Sequence, residues 1–283
     1  MTAKGYAVAE HLLRCYPDLL AYVVTSADPG VQHDYVKEIT ALCATYNVPC
    51  YDRRQAPPLT TPFVLAISWR WLLHPQGRLI VCHDSLLPTY RGFNPLVTGL
   101  INGDPEIGVT ALYAAVAYDG GPIIAQSASR VQYPIKIADA IELVSRDYVR
   151  VVDEVARQLS AGQTPLAVEQ DDAAATYSLW RDEDDYQLDW SLDAVRLRRT
   201  IDALGYPYKG AASYIADRKV RIFEAEEVPD LPIGNRAPGK VIFMVEGIPT
   251  IVCGHGLLRL LDVRDDETGE SVLPMKNFRV RLR

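Results

Sequence analysis

A dense polar segment runs His83-Asp84-Ser85-Leu86-Leu87-Pro88-Thr89-Tyr90-Arg91-Gly92-Phe93-Asn94-Pro95. It follows the apolar run 79–82, which reads as the end of a buried strand. In open α/β sheets, ligands collect beyond the carboxyl ends of strands. An imidazole at that place suits acid–base work near neutral pH. Arg91 has the planar fork that clamps anions. Further along, Asp119-Gly120-Gly121-Pro122 forms a tight turn between two apolar runs. An Asp there can orient His83, raise its basicity or take a proton itself. Taken singly, each residue is ordinarily structural, and Asp119 alone is an ordinary turn former.

The elements that must position these groups alternate. The pattern predicts helices over 6–14, 32–46, 95–101 and 137–160. It predicts strands over 19–25, 48–51, 63–68, 79–83, 107–113 and 122–131. Strands interleaved with helices imply an α/β domain with a doubly wound, mostly parallel sheet over 1–162. Residues 163–195 read as an acidic connector: 169–193 hold nine Asp or Glu against Arg181. Residues 196–283 read as a short helix (196–204), then strands over 211–215, 219–224, 239–245, 249–253 and 257–264. That spacing suggests a small OB-like β-barrel.

Composition narrows the classes. The 283 residues are 48% hydrophobic and 23% charged, with net charge −7. No run approaches a membrane span, and no basic-then-apolar leader opens the sequence, so a cytoplasmic protein is expected. Five scattered cysteines, with no CxxC pair, argue for a reducing compartment and against a metal site. Residues 200–283 carry 12 Lys plus Arg and 12 Asp plus Glu, so the small domain is not a basic nucleic-acid module. His11, His33 and His74 show no mutual ligand spacing, and His255 reads as an exposed turn residue.

Three blocks, in order, resemble the folate-dependent formyltransferase family. They are His83-x-Ser85-Leu86-Leu87-Pro88-x-Tyr90-Arg91-Gly92, Gly103-Asp104-x-x-Ile107-Gly108-Val109-Thr110, and Asp119-x-Gly121-Pro122-Ile123-Ile124. Tyr206-Pro207-Tyr208-Lys209-Gly210-Ala211 and Ala237-Pro238-Gly239-Lys240-Val241 look like the small domain of its tRNA and sugar members. The resemblance implies N10-formyltetrahydrofolate as formyl donor and a primary amine as acceptor. It implies that His83 stabilises the oxyanion of the tetrahedral intermediate and moves the amine proton. Asp119 would hold His83 and assist protonation of the leaving nitrogen. The donor would lie near Trp69, Arg70, Leu86 and Tyr118. The acceptor would meet Lys4, Tyr90, Arg91 and Asn94, with Lys4 and the following helix N-terminus suiting a phosphate.

Two departures stand out. The family's Asn-x-His signature is here Val81-Cys82-His83, and Val81 cannot donate to an oxyanion. Another donor substitutes (Asn94 or a backbone N–H), or the enzyme is slow, or the chain is an impaired folate-binding relative. Cys82, on the opposite face of the strand, reads as core. The second departure is the start: Thr2-Ala3-Lys4-Gly5 looks like the turn after a first apolar strand, and that strand is expected to be missing. For the acceptor, the neutral small domain favours a nucleotide-linked amino sugar, with methionyl-tRNA as the alternative. No membrane partner is expected, and a homodimer is compatible with the chain.

Overall fold

A computed structural model describes residues 2–27 and 34–283. His33 lies outside the described residues. The elements of the N-terminal part are α1 (Ala3–Cys15), β1 (Val23–Thr25), α2 (Val36–Thr45), β2 (Cys50–Asp52), β3 (Phe63–Ile67) and β4 (Arg78–His83). They continue through β5 (Arg91–Gly92), α3 (Pro95–Asn102), β6 (Glu106–Tyr113), β7 (Ile123–Arg130), α4 (Ile137–Ser160) and β8 (Tyr177–Ser178). The C-terminal part holds α5 (Ala194–Leu204), β9 (Ala211–Ile215), β10 (Arg218–Val228), β11 (Val241–Val245), β12 (Ile248–Val252) and β13 (Leu257–Asp265).

Two compact units result. One comprises Met1–Leu96, Glu106–Val131 and Ala140–Leu179. The other comprises Val97–Pro105, Gln132–Asp139 and Trp180–Arg283. The acidic stretch 163–195 is thus divided at Leu179, its first half belonging with the site-bearing unit.

In the first unit a four-stranded sheet has the order β3-β4-β6-β7. β4 is parallel to β3 and antiparallel to β6, and β6 is antiparallel to β7. Two further pairings, β1 with β2 and β5 with β8, are parallel. The unit is α/β and parallel-rich, with an antiparallel half. β4 has a neighbour on each side, which is why the run ending in Ile80 and Cys82 is apolar: both are buried. The long amphipathic helix α4 buries Val144, Tyr148, Val151, Val152 and Val155, at helical spacing. Asp139 in its first turn and Arg157 in its last complement its dipole.

The apolar run 19–25 becomes strand only at β1, because Pro17–Leu19 closes a short 3-10 turn ahead of it. The second helix starts at Val36, after Tyr35 takes a left-handed conformation (φ 52°) and Asp34 accepts from the Val36 N–H at 3.2 Å. Among the described residues, β1–β2 does not join the four-stranded sheet. Among the same residues β1 and β3 each have one neighbouring strand, and both line an apolar cavity of about 820 Å³. α1 (Val8, Leu12) and α4 (Val155, Leu159) supply other walls.

The second unit is built on one antiparallel sheet of order β11-β12-β13-β10-β9. The last residues touch both of its edges: Leu282 bridges Ile215, and Arg281 bridges Lys240. α5 starts at Asp193, whose side chain accepts from Arg196 N at 2.8 Å, a helix cap. No helix among the described residues is long and apolar enough to cross a membrane.

Candidate active site

β4 delivers His83 at its carboxyl end, in register with Thr110 of β6. The imidazole is buried, at 8% exposure. Its Nε2 lies 2.8 Å from the Tyr90 carbonyl oxygen. A carbonyl only accepts, so Nε2 carries the hydrogen and donates. Nδ1 is then the nitrogen left to exchange a proton, and it faces Asp119 Oδ2 at 3.6 Å. That separation exceeds a hydrogen bond. It sets a carboxylate beside the ring without tying up Nδ1.

Asp119 is held from two sides. Its backbone takes a left-handed conformation (φ 53°) in the connection between β6 and β7. Its Oδ2 accepts from the Gly92 N–H at 2.9 Å. Gly92 itself has φ +104°, and a Cβ there would sit 2.6 Å from the Ser178 carbonyl oxygen. Only glycine fits where β5 meets β8 so closely. A Cβ on Gly121 would lie 1.8 Å from the Tyr113 carbonyl, so the turn behind Asp119 is equally confined.

The loop after His83 is pinned by two residues to which the sequence reading gave no role. The Thr110 hydroxyl donates to the Ser85 carbonyl (2.7 Å) and accepts from Leu87 N (3.1 Å) and Gln126 Nε2 (2.9 Å). Gln126 Nε2 also donates to the Leu87 carbonyl at 2.9 Å. A third, Gln170, donates to the carbonyls of Asp119 and Gly121, both at 2.7 Å. Thr110 stands inside a recognised block, so a signal was there. Gln170 sits in the acidic connector and gave none.

Several expected ligand residues have other partners. Lys4 is buried, and its ammonium is paired with the Asp84 carboxylate, which also accepts from the Tyr148 hydroxyl. A largely shielded carboxylate beside His83 thus takes the nearest cation as its partner. Burial pushes the Asp84 carboxyl up, but Lys4, Tyr148 and His83 together outweigh it and hold the group below the usual range. Burial, and then the Asp84 charge, push the Tyr148 hydroxyl well above its usual value. Arg91 is buried as well. Its guanidinium donates to Gln170 Oε1 (3.1 and 2.9 Å) and pairs with Asp172 at 2.7 Å, which braces the site.

Tyr90 turns at φ 60°, and its N–H donates to Thr176 Oγ1 at 2.9 Å. Asn94 is exposed, at φ 48°. Tyr118, the neighbour of Asp119, is 78% exposed, and Arg70 is exposed. Leu86 is half-buried, and a Cβ on Gly108 would reach its side chain at 2.5 Å. Trp69 stacks edge-on against Trp71 and lines the apolar cavity, and its buried indole N–H has no partner among the described residues. Val81 pairs with Ala66 and Leu112, two residues before His83 and on the same face of β4. Cys82 points the other way into the core, and burial pushes its thiol up. His11 is a structural residue, 2.7 Å from Asp153.

Fold and site define a class: an α/β unit whose flanked strand ends in a buried histidine 3.6 Å from an aspartate, with an antiparallel-sheet unit after it in the sequence. Comparison with known proteins gives the class its family. Residues 59–145 match the formyl transferase model, and residues 181–278 match the formyl transferase C-terminal domain. The chain belongs to the formyl transferase family. It is 30% identical over 207 residues to the methionyl-tRNA formyltransferase of Borrelia hermsii, covering 73% of this chain and 65% of that one. It is 32% identical over 205 residues to that of Roseiflexus sp., covering 71% and 60%. The chain thus spans less than two thirds of the length of these relatives. In three dimensions it resembles an N-formyltransferase from Helicobacter canadensis, solved with folinic acid and dTDP-3-aminofucose. That likeness has TM-score 0.68 and 15% identity, over 91% of this chain and 96% of that one. HypX from Aquifex aeolicus, solved with tetrahydrofolic acid, matches at TM-score 0.63 and 18% identity over 88% of this chain and 45% of that one. At such identities the likeness is one of fold.

Proposed function

We propose that this protein transfers a formyl group from N10-formyltetrahydrofolate to the primary amine of a nucleotide-linked amino sugar. The observation that carries the reading is the buried pair of His83 and Asp119, 3.6 Å apart at the end of β4. The donor, when bound, supplies the formyl carbon. The residues present suit a pterin-bearing molecule: an exposed tyrosine adjoins Asp119, and the buried Trp69 indole N–H has no acceptor among the described residues. Leu86 and Arg70 would complete that side.

The protein's own part is proton movement. As the amine attacks the formyl carbon it must lose a proton, and Nδ1 of His83 is the free nitrogen that takes it. The Asp119 carboxylate carries the compensating charge beside the imidazolium. The same proton returns to the nitrogen that leaves when the second C–N bond breaks. Val81 supplies no donor to the developing oxyanion, so the protonated His83, with Asn94 or a backbone N–H, serves.

For the acceptor, the neutral balance of 200–283 supports a small molecule over a phosphate-tracking partner. Methionyl-tRNA stands as a second reading, favoured by the 30% and 32% identities. The test is to incubate the protein with N10-formyltetrahydrofolate and, separately, amino-sugar nucleotides and initiator methionyl-tRNA, and weigh the products. A formyl gained by a sugar nucleotide supports the reading. A formyl gained by the tRNA alone replaces it with the second.

A further inference from the structure

Gln170 makes four hydrogen bonds within the first unit. Its Nε2 donates to the carbonyls of Asp119 and Gly121, both at 2.7 Å. Its Oε1 accepts from Arg91 Nε at 3.1 Å and from an Arg91 terminal nitrogen at 2.9 Å. The chemistry is particular to a glutamine. A glutamate has no donor for the two carbonyls, and a lysine has no acceptor for the guanidinium.

The four bonds converge on Asp119. The Asp119 carbonyl is fixed directly, at a residue whose backbone is left-handed (φ 53°). The Asp119 carboxylate is fixed through Gly92, whose N–H donates to Oδ2 at 2.9 Å. Gly92 follows Arg91 in β5, and Arg91 is bound to Gln170 and to Asp172. The Gln170 amide thus reaches the Asp119 backbone directly and its carboxylate through Arg91, which Asp172 and its own N–H to the Thr176 carbonyl also hold. Without the amide, two carbonyls lose their donor, and the turn can relax away from a left-handed conformation that non-glycine residues adopt uncommonly.

We propose that Gln170 is a positioning residue for the formyl-transfer site, holding the Asp119 carboxylate at its working distance from His83 Nδ1. This rests on the function proposed above. It concerns orientation: Gln170 is not placed on substrate, and it exchanges no proton. A displacement of about 1 Å at a reacting group can cost on the order of a hundredfold in rate.

The test uses Gln170→Met, which keeps the volume and removes every hydrogen bond, with Gln170→Glu as the second variant. Three readouts are taken on the full chain: kcat and KM separately, hydrogen exchange at the Gly92 amide, and the same substitution made in Asp119→Asn. The expected result is a fall in kcat of about tenfold to a hundredfold, with KM for the amine within about twofold. The Gly92 amide exchanges at least roughly tenfold faster, because its acceptor wanders. In Asp119→Asn, Gln170→Met costs nothing further, since a residue that acts through another is not additive with it.

An unchanged kcat, an unchanged Gly92 exchange rate, or a full multiplicative loss in the Asp119→Asn background would each overturn the proposal. Gln170→Glu separates positioning from bulk, because it keeps the Arg91 contact and loses only the two carbonyls. It must lose kcat as Gln170→Met does. If the wild type formylates no amine, the proposed function fails, and the Gly92 exchange rate alone then decides whether Gln170 holds Asp119.

Discussion

Replacing Lys4 by methionine tests how the end of β4 is held. The change keeps the aliphatic stem and removes the ammonium from a carboxylate that is largely shielded: the Lys4 and Asp84 side chains are 11% and 19% exposed. Breaking such a pair by removing one partner costs about 3–5 kcal/mol, because a charge is left unpaired. The Tyr148 hydroxyl still donates to Asp84, which argues for the lower end, about 3 kcal/mol at pH 7. Linkage fixes the sign. The Asp84 carboxyl is held below its usual range in the folded chain, so its contribution is present above the unfolded value of about 3.9 and is lost as pH falls below it. Lys4→Met removes a cause of that depression, so the variant and the wild type converge in acid. Urea unfolding of both proteins at pH 7 and near pH 3.5, followed by tryptophan fluorescence, measures the difference. A gap of about 3 kcal/mol at pH 7 that shrinks in acid is expected. A gap below about 0.5 kcal/mol at pH 7, or one that does not change with pH, refutes the reasoning.

Other predictions follow from the same geometry. Val81→Asn puts an amide on the His83 face of β4, and turnover of the full chain should rise or hold; a large loss would mean that another group already fills that space. The apolar cavity with β1 and β3 in its walls should bind a hydrophobic dye such as ANS and raise its fluorescence over that in buffer. Dye fluorescence no greater than in buffer would show that the cavity does not admit it. Glu183 in the second unit accepts from Lys219, Arg221 and Lys209; burial pushes its carboxyl up, but these cations outweigh it and hold it at about 2. Its stabilising contribution is therefore present above the unfolded value of about 4.3 and is lost as pH falls toward 2. Glu183→Gln should flatten the acid limb of the stability profile; an unaltered limb would remove Glu183 from its cause.

The parts legible in the sequence were those whose cause is local. The alternating apolar runs marked β3, β4, β6 and β7, and helical periodicity marked α4 over its full length, Ile137–Ser160. His83 and Asp119 stood out through type and block order, and the structure sets them side by side. What the sequence hid was partnership at long range. Nothing local to Lys4 says that Asp84, eighty positions on, is its partner. The partners of Arg91 were hidden in the same way, Gln170 and Asp172 lying in a stretch that composition marks only as acidic. That stretch belongs half to the site-bearing unit, as a composition shift could not show. Antiparallel pairing of β6 against β4 was also invisible, since a strand buried on both faces reads the same in either direction.

The central claim is that His83 and Asp119 together move the proton of formyl transfer, and the kcat of His83→Ala tests it most directly. The measurement is formyl transfer from N10-formyltetrahydrofolate to the best acceptor found, under saturating donor, with wild type alongside. A fall of about 10²–10⁴ in kcat with an unchanged far-ultraviolet circular dichroism spectrum is the predicted result. A His83→Ala protein that turns over within about threefold of wild type would contradict it.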